Sequence, residues 1–378
     1  TNPFALLGLA RAVAPLHIWY SQEARMYSLL ALLTVIHPSL TWRLMSRPSR
    51  WAWLAYVLVG AGMFYTAYIS LFVLAFEGLT MLLAAFRGRQ RPHLAASITA
   101  QIMIGLLALP WLPVFIQQSG RPMPWVGRPG ISELAGTILR VVFGAQPAYL
   151  QPLYLLAVGL AVLLLVLGGA RYLRQPGAQV AATWFVTAWV ILPIGLIAAV
   201  SQVYPIYQNK QFLMLLPGML LLAAMALQRL WKPVRFGAAT LLCLLWAFAL
   251  ANQYFTPQKQ DWRSVAAYIG DHGSANDVVF VNASGGTLAL DYYLQNRFVV
   301  DAYPAAFTIE EGGYVGTLTT RTIVDARLSP LARLHRRIWL IQVSPEIWDP
   351  NAYLPQWLDE HCARETVPSF YALDVRLY

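Results

Sequence analysis

Apolar residues fill the first two thirds of the chain in long runs broken by short polar stretches. The runs are Phe4–Trp19, Met26–Met45, Trp51–Tyr68, Ile69–Phe86, Leu94–Ile116, Pro152–Arg171, Val180–Val203, Phe212–Leu230 and Phe236–Tyr254. Each reaches or approaches the roughly 20 residues that a helix needs to cross a bilayer. The pattern predicts nine transmembrane helices within residues 1–254. Trp51–Tyr68 and Ile69–Phe86 abut, which predicts two short spans or a helix pair with a tight hairpin at Tyr65–Tyr68.

After residue 254 the pattern changes. Asp261–Ile269 has helical spacing with Asp261 as its cap, and Asp277–Asn282 reads as a strand between turn residues. Thr287–Gln295 reads as a helix, Arg297–Asp301 and Arg337–Val343 as strands, Tyr353–Cys362 as a helix and Phe370–Tyr378 as a closing strand. Pro304–Ser329 shows no readable element. Alternating helices and strands predict a small soluble α/β domain over 255–378.

Charge sharpens this division. Between Ala24 and Gln260 the only acids are Glu77 and Glu133, whereas Asp261–Tyr378 holds fourteen of the seventeen. Charged residues make up 12% of the chain and hydrophobic ones 58%. A soluble domain carries about 25% charge, so the composition is that of a polytopic membrane protein. The net charge of +10 does not imply nucleic acid, because the basic residues sit in short loops between apolar runs. Arg43, Arg47, Arg50, Arg87, Arg89, Arg91, Arg171, Arg174, Arg229, Lys232 and Arg235 all fall in alternate loops. The positive-inside rule makes that side cytoplasmic. The other side then receives Tyr20–Tyr27, Tyr65–Tyr68, Gln117–Gln151, Ser201–Gln211 and the α/β domain. Cys243 lies in an apolar run and Cys362 in the tail, so no disulfide is expected. The chain opens on Thr1 with no signal peptide, and the expectation is a fragment lacking its N-terminal part.

In the loop Gln117–Gln151, the positions Ile131, Leu134, Ile138, Leu139 and Val142 recur at helical spacing behind Ser132, a candidate N-cap. They predict an amphipathic helix on the outer interface. It covers a lipid-facing cavity or is an inert surface helix; the sequence leaves both open.

The candidate chemistry lies on the same side. Tyr20-Ser21-Gln22-Glu23-Ala24-Arg25-Met26-Tyr27 is a polar patch between two apolar runs. It holds no Gly, Pro, Asn or Asp, and its residues favour helix, so it reads as the first turns of a helix. The bland alternative is a hydrophilic turn between two spans. Charges beside a bilayer cost about 2.5–3.5 kcal/mol on insertion scales and tend to pair. A second patch, Tyr204–Gln211, contains Lys210, the only lysine before Arg229. Lys210 is either a phosphate partner or an interfacial cation. Trp19, Tyr20, Tyr65, Tyr68, Trp111 and Trp125 suit an aromatic belt. Glu77 lies inside an apolar run, and its partner is not readable. The membrane half has no CxxC, no HExxH and no phosphate loop. Gly285-Gly286 follows a strand and precedes a helix, which a plain turn explains.

Leu16-His17-Ile18-Trp19-Tyr20-Ser21-Gln22-Glu23-Ala24-Arg25-Met26-Tyr27, continued by Ser28–Leu33, resembles the bacterial branch of the protein-mannosyltransferase-like (family-39-like) GT-C glycosyltransferases, with aminoarabinose transferases among the relatives. Phe64–Tyr68, Pro110–Pro113, Asp261–Tyr268 and Phe370–Tyr378 resemble the family more weakly. The resemblance implies a GT-C membrane bundle in the bacterial inner membrane with the C-terminal domain outside. It implies sugar transfer from a polyprenyl-phosphate donor to a glycan, lipid or protein acceptor. The family's catalytic acid would lie upstream of Thr1, so no catalytic residue is assigned, and the fragment is expected to be inactive alone. The resemblance assigns Tyr20, Gln22, Glu23, Arg25, Tyr27, Tyr207 and Lys210 to substrate binding. Glu23 would contact the acceptor sugar or a divalent metal; Arg25 would contact the donor phosphate or Glu23. Many relatives have Arg-Tyr where this chain has Lys210-Gln211. The alternatives are a transporter or flippase for a polyprenyl-linked substrate, and a non-catalytic glycan-binding scaffold.

Overall fold

The computed structural model describes residues 14–23, 25–87, 91–119, 126–144, 151–173, 178–256, 259–303 and 320–378. Most of the run Phe4–Trp19, the glycine- and proline-rich 120–125, the basic positions Arg89 and Arg174, and 304–319 lie outside them. The chain divides into two units, Thr1–Pro113 with Val126–Thr256, and Val114–Trp125 with Pro257–Tyr378.

The first unit is helical: α1 (Pro15–Ser21), α2 (Tyr27–Ser46), α3 (Arg50–Thr66), α4 (Leu71–Arg87), α5 (Arg91–Ala108), then α6 (Leu112–Ser119), which the division splits, α7 (Ile131–Phe143), α8 (Gln151–Leu173), α9 (Ala178–Val203), α10 (Leu216–Gln228) and α11 (Lys232–Phe255). By length and composition, five stretches can cross a membrane: Tyr27–Ser46, Leu94–Ser119, Val180–Val203, Asn209–Gln228 and Lys232–Phe255. Tyr68–Ala84 and Tyr154–Ala170 are apolar but shorter. The hairpin between α3 and α4 is tight. Helix α3 ends at Thr66, Ala67 is extended, and a 3-10 turn over Tyr68–Ser70 leads into α4.

The packing is that of a bundle whose outside is apolar. On α2 the buried stripe Tyr27, Leu30, Ala31, Thr34, His37, Pro38, Thr41 and Leu44 includes polar groups, whereas Leu29 and Leu32 are exposed. Close approach relies on small residues, as in membrane bundles generally. A Cβ on Gly168 of α8 would lie 2.2 Å from the Ala226 carbonyl oxygen of α10. Glu77, whose partner the sequence left open, is fully buried on α4 and pairs with His37 of α2.

The second unit is an α/β sandwich: α12 (Trp262–His272), β1 (Asp277–Val281), α13 (Thr287–Leu294), β2 (Val299–Ala302), α14 (Arg321–Leu334), β3 (Arg337–Gln342), α15 (Pro345–Trp348), α16 (Tyr353–His361) and β4 (Asp374–Leu377). The strand order is β2-β1-β3-β4, with β1 parallel to both neighbours and β4 antiparallel to β3. Side-chain alternation decides the layers. Val279, Val281, Trp339 and Ile341 pack with Val265, Ile269 and Leu290. Val278, Phe280, Ile338 and Leu340 pack on the other face with Val324, Leu328 and Leu358. Each such fully buried side chain contributes about 1.5–3 kcal/mol. Asp261 caps α12 by accepting from the Ser264 N–H at 3.1 Å. Helix α14 is a correction, because it occupies part of the stretch that showed no readable element. Thr320 caps it at Ile323 N, but Pro330 interrupts its pattern. Gly286 has a packing role: a Cβ there would meet Trp262 Cη2 at 2.5 Å.

Candidate functional site

At one end of the helical unit, α1 packs against α2, α7, α11 and the segment Asn209–Leu215. Pro15 opens α1 at a position where the missing N–H costs nothing. Space for it depends on Gly144, whose φ of +82° favours glycine and whose Cβ would meet Ala249 at 2.8 Å and Pro15 at 3.0 Å. Trp246 of α11 donates its indole N–H to the Val142 carbonyl of α7 at 2.7 Å.

The patch after α1 is not the start of a helix. Helix α1 ends at Ser21 and α2 begins at Tyr27. Gln22 and Glu23 donate backbone N–H to Trp19 O and Tyr20 O at 3.3 Å, and Arg25 N donates to Glu23 O at 2.7 Å. These short-range bonds tighten the chain into a turn. The helix propensity of Glu and Arg is a few tenths of a kcal/mol per residue, a bias too weak to decide between helix and turn. The alternative reading, a polar turn between two helices, is the geometry found.

This turn places the predicted residues unequally. Tyr27 is buried, and its ring lies 5.0 Å from that of Tyr20. Burial, the Glu23 carboxylate and the Tyr27 phenol together push the Tyr20 hydroxyl up to about 12, against the opposing pull of Arg25, so it stays a neutral donor. Glu23 and Arg25 approach to 3.9 Å with side chains 26% and 57% exposed. An exposed pair of that kind contributes about 0–1 kcal/mol, which leaves Arg25 available to a ligand. Gln22 Nε2 donates to the Tyr254 hydroxyl at 3.5 Å.

The second patch joins the same end. Tyr20, Tyr27, Tyr207 and Phe212 belong to one apolar cluster. The Tyr207 hydroxyl donates to Thr137 Oγ1 of α7, and the Glu133 carbonyl oxygen lies 3.2 Å from that hydroxyl. Burial raises the Tyr207 phenol above its ordinary range. Thr137 in turn donates to Asn209 Oδ1 at 2.6 Å. Lys210, next in the chain, is partly exposed, and among the described residues no acid lies within ion-pair distance of it.

Helix α7 forms as expected, with one change. Its N-cap is Gly130, not Ser132; Glu133 accepts from Gly130 N and Ser132 Oγ, each at 2.9 Å. Its own backbone N–H, the Ser132 hydroxyl and the Gly130 N–H hold the exposed Glu133 carboxyl below its usual range. Thr137, Asn209 and Arg140 are site residues that the sequence reading missed. A signal for two of them existed. Glu133, Thr137 and Arg140 sit four and three positions apart, a polar stripe on one face of the amphipathic helix.

Among the described residues no three His, Cys, Asp or Glu side chains converge. Glu23 is a single carboxylate with a guanidinium as neighbour. That donor set does not fit a protein-held divalent cation, which takes several oxygen ligands.

No family model and no curated protein sequence matches the chain. Solved structures that match its fold include two of one protein. ArnT from Cupriavidus metallidurans in the apo state aligns over 100% of this chain and 78% of its own, with a TM-score of 0.57 and 13% identity. The same protein bound to undecaprenyl phosphate aligns over 100% and 79%, with a TM-score of 0.53 and 12% identity. The chain shares the overall fold of that protein.

Proposed function

We propose that this chain is the membrane bundle and outer domain of a glycosyltransferase that moves a sugar from a polyprenyl-phosphate donor to a glycan, lipid or protein acceptor. The observation that carries this reading is the meeting of the Tyr20–Tyr27 turn, α7 and Asn209–Leu215 at one end of the bundle. There Arg25 pairs only loosely with Glu23, at 3.9 Å, and Lys210 has no acid within ion-pair distance among the described residues. Support comes from the likeness in fold to a protein crystallised with undecaprenyl phosphate.

The chemistry follows from charge. A polyprenyl phosphate leaves readily when fixed cations meet the charge that develops on it. Arg25 offers a planar fork of donors and Lys210 a compact charge. The phenols of Tyr20, Tyr27 and Tyr207 and the amide of Gln22 supply neutral hydrogen bonds for sugar hydroxyls, and Glu23 orients Arg25 or receives an acceptor hydroxyl. The carboxylate base that takes the acceptor hydroxyl proton is assigned to no residue of this chain. The reading includes nine spans, the basic loops inside and the α/β unit outside.

The test is sugar transfer from a polyprenyl-phosphate-sugar pool in membranes carrying the complete gene product, compared with Glu23→Gln and Arg25→Ala at matched expression. A loss of about tenfold or more for both, some 1.4 kcal/mol, supports the site. Transfer unchanged by either variant removes the turn from the site. No transfer from any donor sinks the reading and moves the flippase ahead.

A further inference from the structure

The pair His37–Glu77 lies inside the bundle, ten residues along α2 from Tyr27, and both side chains are 0% exposed. Hydrogen-bond chemistry fixes its proton count. His37 Nε2 lies 3.1 Å from the Tyr56 carbonyl of α3, which only accepts, so Nε2 carries a proton and donates. His37 Nδ1 faces Glu77 Oε2. If the ring is neutral, Nδ1 is an acceptor and Glu77 must supply the proton. If the ring is charged, Nδ1 donates to a carboxylate. Either way one proton lies between the two groups, and the pair as a whole is uncharged. That is the condition under which two ionisable groups can sit in an apolar bundle at tolerable cost.

The surroundings are shaped to this pair. The Tyr56 ring stacks on the imidazole with centroids 4.1 Å apart, and its hydroxyl accepts from Gln101 Nε2 of α5 at 2.7 Å. Gly60 of α3 leaves the room: a Cβ there would stand 2.8 Å from His37 Nε2. Four helices therefore meet at one polar point. Pro38 follows His37 within α2 and removes a helix N–H, which makes the helix locally easier to bend or turn.

Tyr27, Thr34 and His37 share the buried stripe of α2. We infer that His37 and Glu77 are positioning residues: their one-proton bond pins the rotation of α2 and so aims the Tyr20–Tyr27 turn at its end. The inference deepens the proposed transfer site and rests on that reading only for its effect on catalysis. Apolar contacts alone would not select this register, because the lipid-facing side of α2, with Leu29 and Leu32 exposed, is as apolar as its packed side.

The experiment reads rotation directly. In the complete gene product with Cys243→Ala and Cys362→Ala, Met26→Cys and Tyr27→Cys are labelled singly in membranes with an impermeant maleimide. Met26 is 42% exposed and Tyr27 4%, so position 27 should react slower by about tenfold or more. Adding Glu77→Ala should bring the two rates together and raise the KM for donor. Glu77→Gln, whose amide can still donate to Nδ1, should restore the contrast and the KM. A contrast untouched by Glu77→Ala overturns the pin. Glu77→Gln as damaging as Glu77→Ala overturns the shared proton in favour of an obligatory charge pair. A lost contrast with transfer unchanged, or absent in the parent, upholds the pin and removes the transfer reading. If Glu77→Ala does not accumulate, His37→Leu removes the other partner of the bond instead; its retained contrast overturns the inference, and a lost contrast supports it.

Discussion

Thr137 and Asn209, 72 positions apart, are joined by a hydrogen bond of 2.6 Å. The same threonine receives the Tyr207 hydroxyl, so one side chain ties α7 to the segment that presents Lys210. Thr137→Val keeps the shape and removes both bonds. A buried hydrogen bond contributes about 1 kcal/mol net, and stranded partners cost more. The expected result is a lower melting temperature and a transfer rate reduced several-fold; Thr137→Ser should retain both. Differential scanning fluorimetry in detergent, paired with the transfer assay, checks this.

Lys210 carries a prediction separate from that for Arg25. If it meets the donor phosphate as a point charge, Lys210→Arg should keep most activity. Lys210→Ala should lose about tenfold in kcat/KM, mainly through the KM for donor. Equal activity of Lys210→Ala and the parent would mean an interfacial cation with no part in binding.

Gly168→Ala probes the pairing of α8 with α10. The added methyl would fall 2.2 Å from a backbone oxygen, which cannot rotate away. Separating two packed helices in this manner costs about 1–3 kcal/mol. Gly159→Ala on the same helix, where nothing lies within 4 Å of the new Cβ, should be silent. Thermal melts of the two variants make the comparison.

The α/β unit should weaken in acid through Asp277. Burial raises this carboxyl, but bonds from the Ser274 N–H, the Trp339 indole, the Arg337 guanidinium and the Ser274 hydroxyl outweigh it and leave it below the ordinary range. A group depressed in the folded state contributes stability that is whole above its unfolded value, about 3.9. That stability drains away as pH falls through the lower folded value. The protection of β1 and β3 amides against exchange in the intact protein, relative to the intrinsic rate at each pH, should therefore fall below about pH 4. Asp277→Asn should be less stable at neutral pH and should lose that acid dependence.

How much could be read in advance depended on the range of the interaction. The Asp261 cap, the apolar strand runs of β1 and β3 and the spacing of α7 act within a few residues, and each is written in the local sequence. So are the apolar runs and the charge bias that marks the α/β domain. Helix α14 escaped because Pro330 blurs its period, and the turn at Glu23–Arg25 escaped because propensity of a few tenths of a kcal/mol per residue does not decide between helix and turn.

The site and the pin belong to the other class. His37 and Glu77, Thr137 and Asn209, and Gln22 and Tyr254 are 40, 72 and 232 positions apart. The sequence by itself determined that the chain is a helical membrane protein with an α/β tail and a polar patch at Tyr20–Tyr27. Only the tertiary structure decided what each buried polar group faces. A side chain's hydrogen-bonding capacity is set by its type, but its partner is set by which helices pack together. In an apolar bundle the lipid-facing and packed sides of a helix look alike in sequence, so that choice carries no local signature.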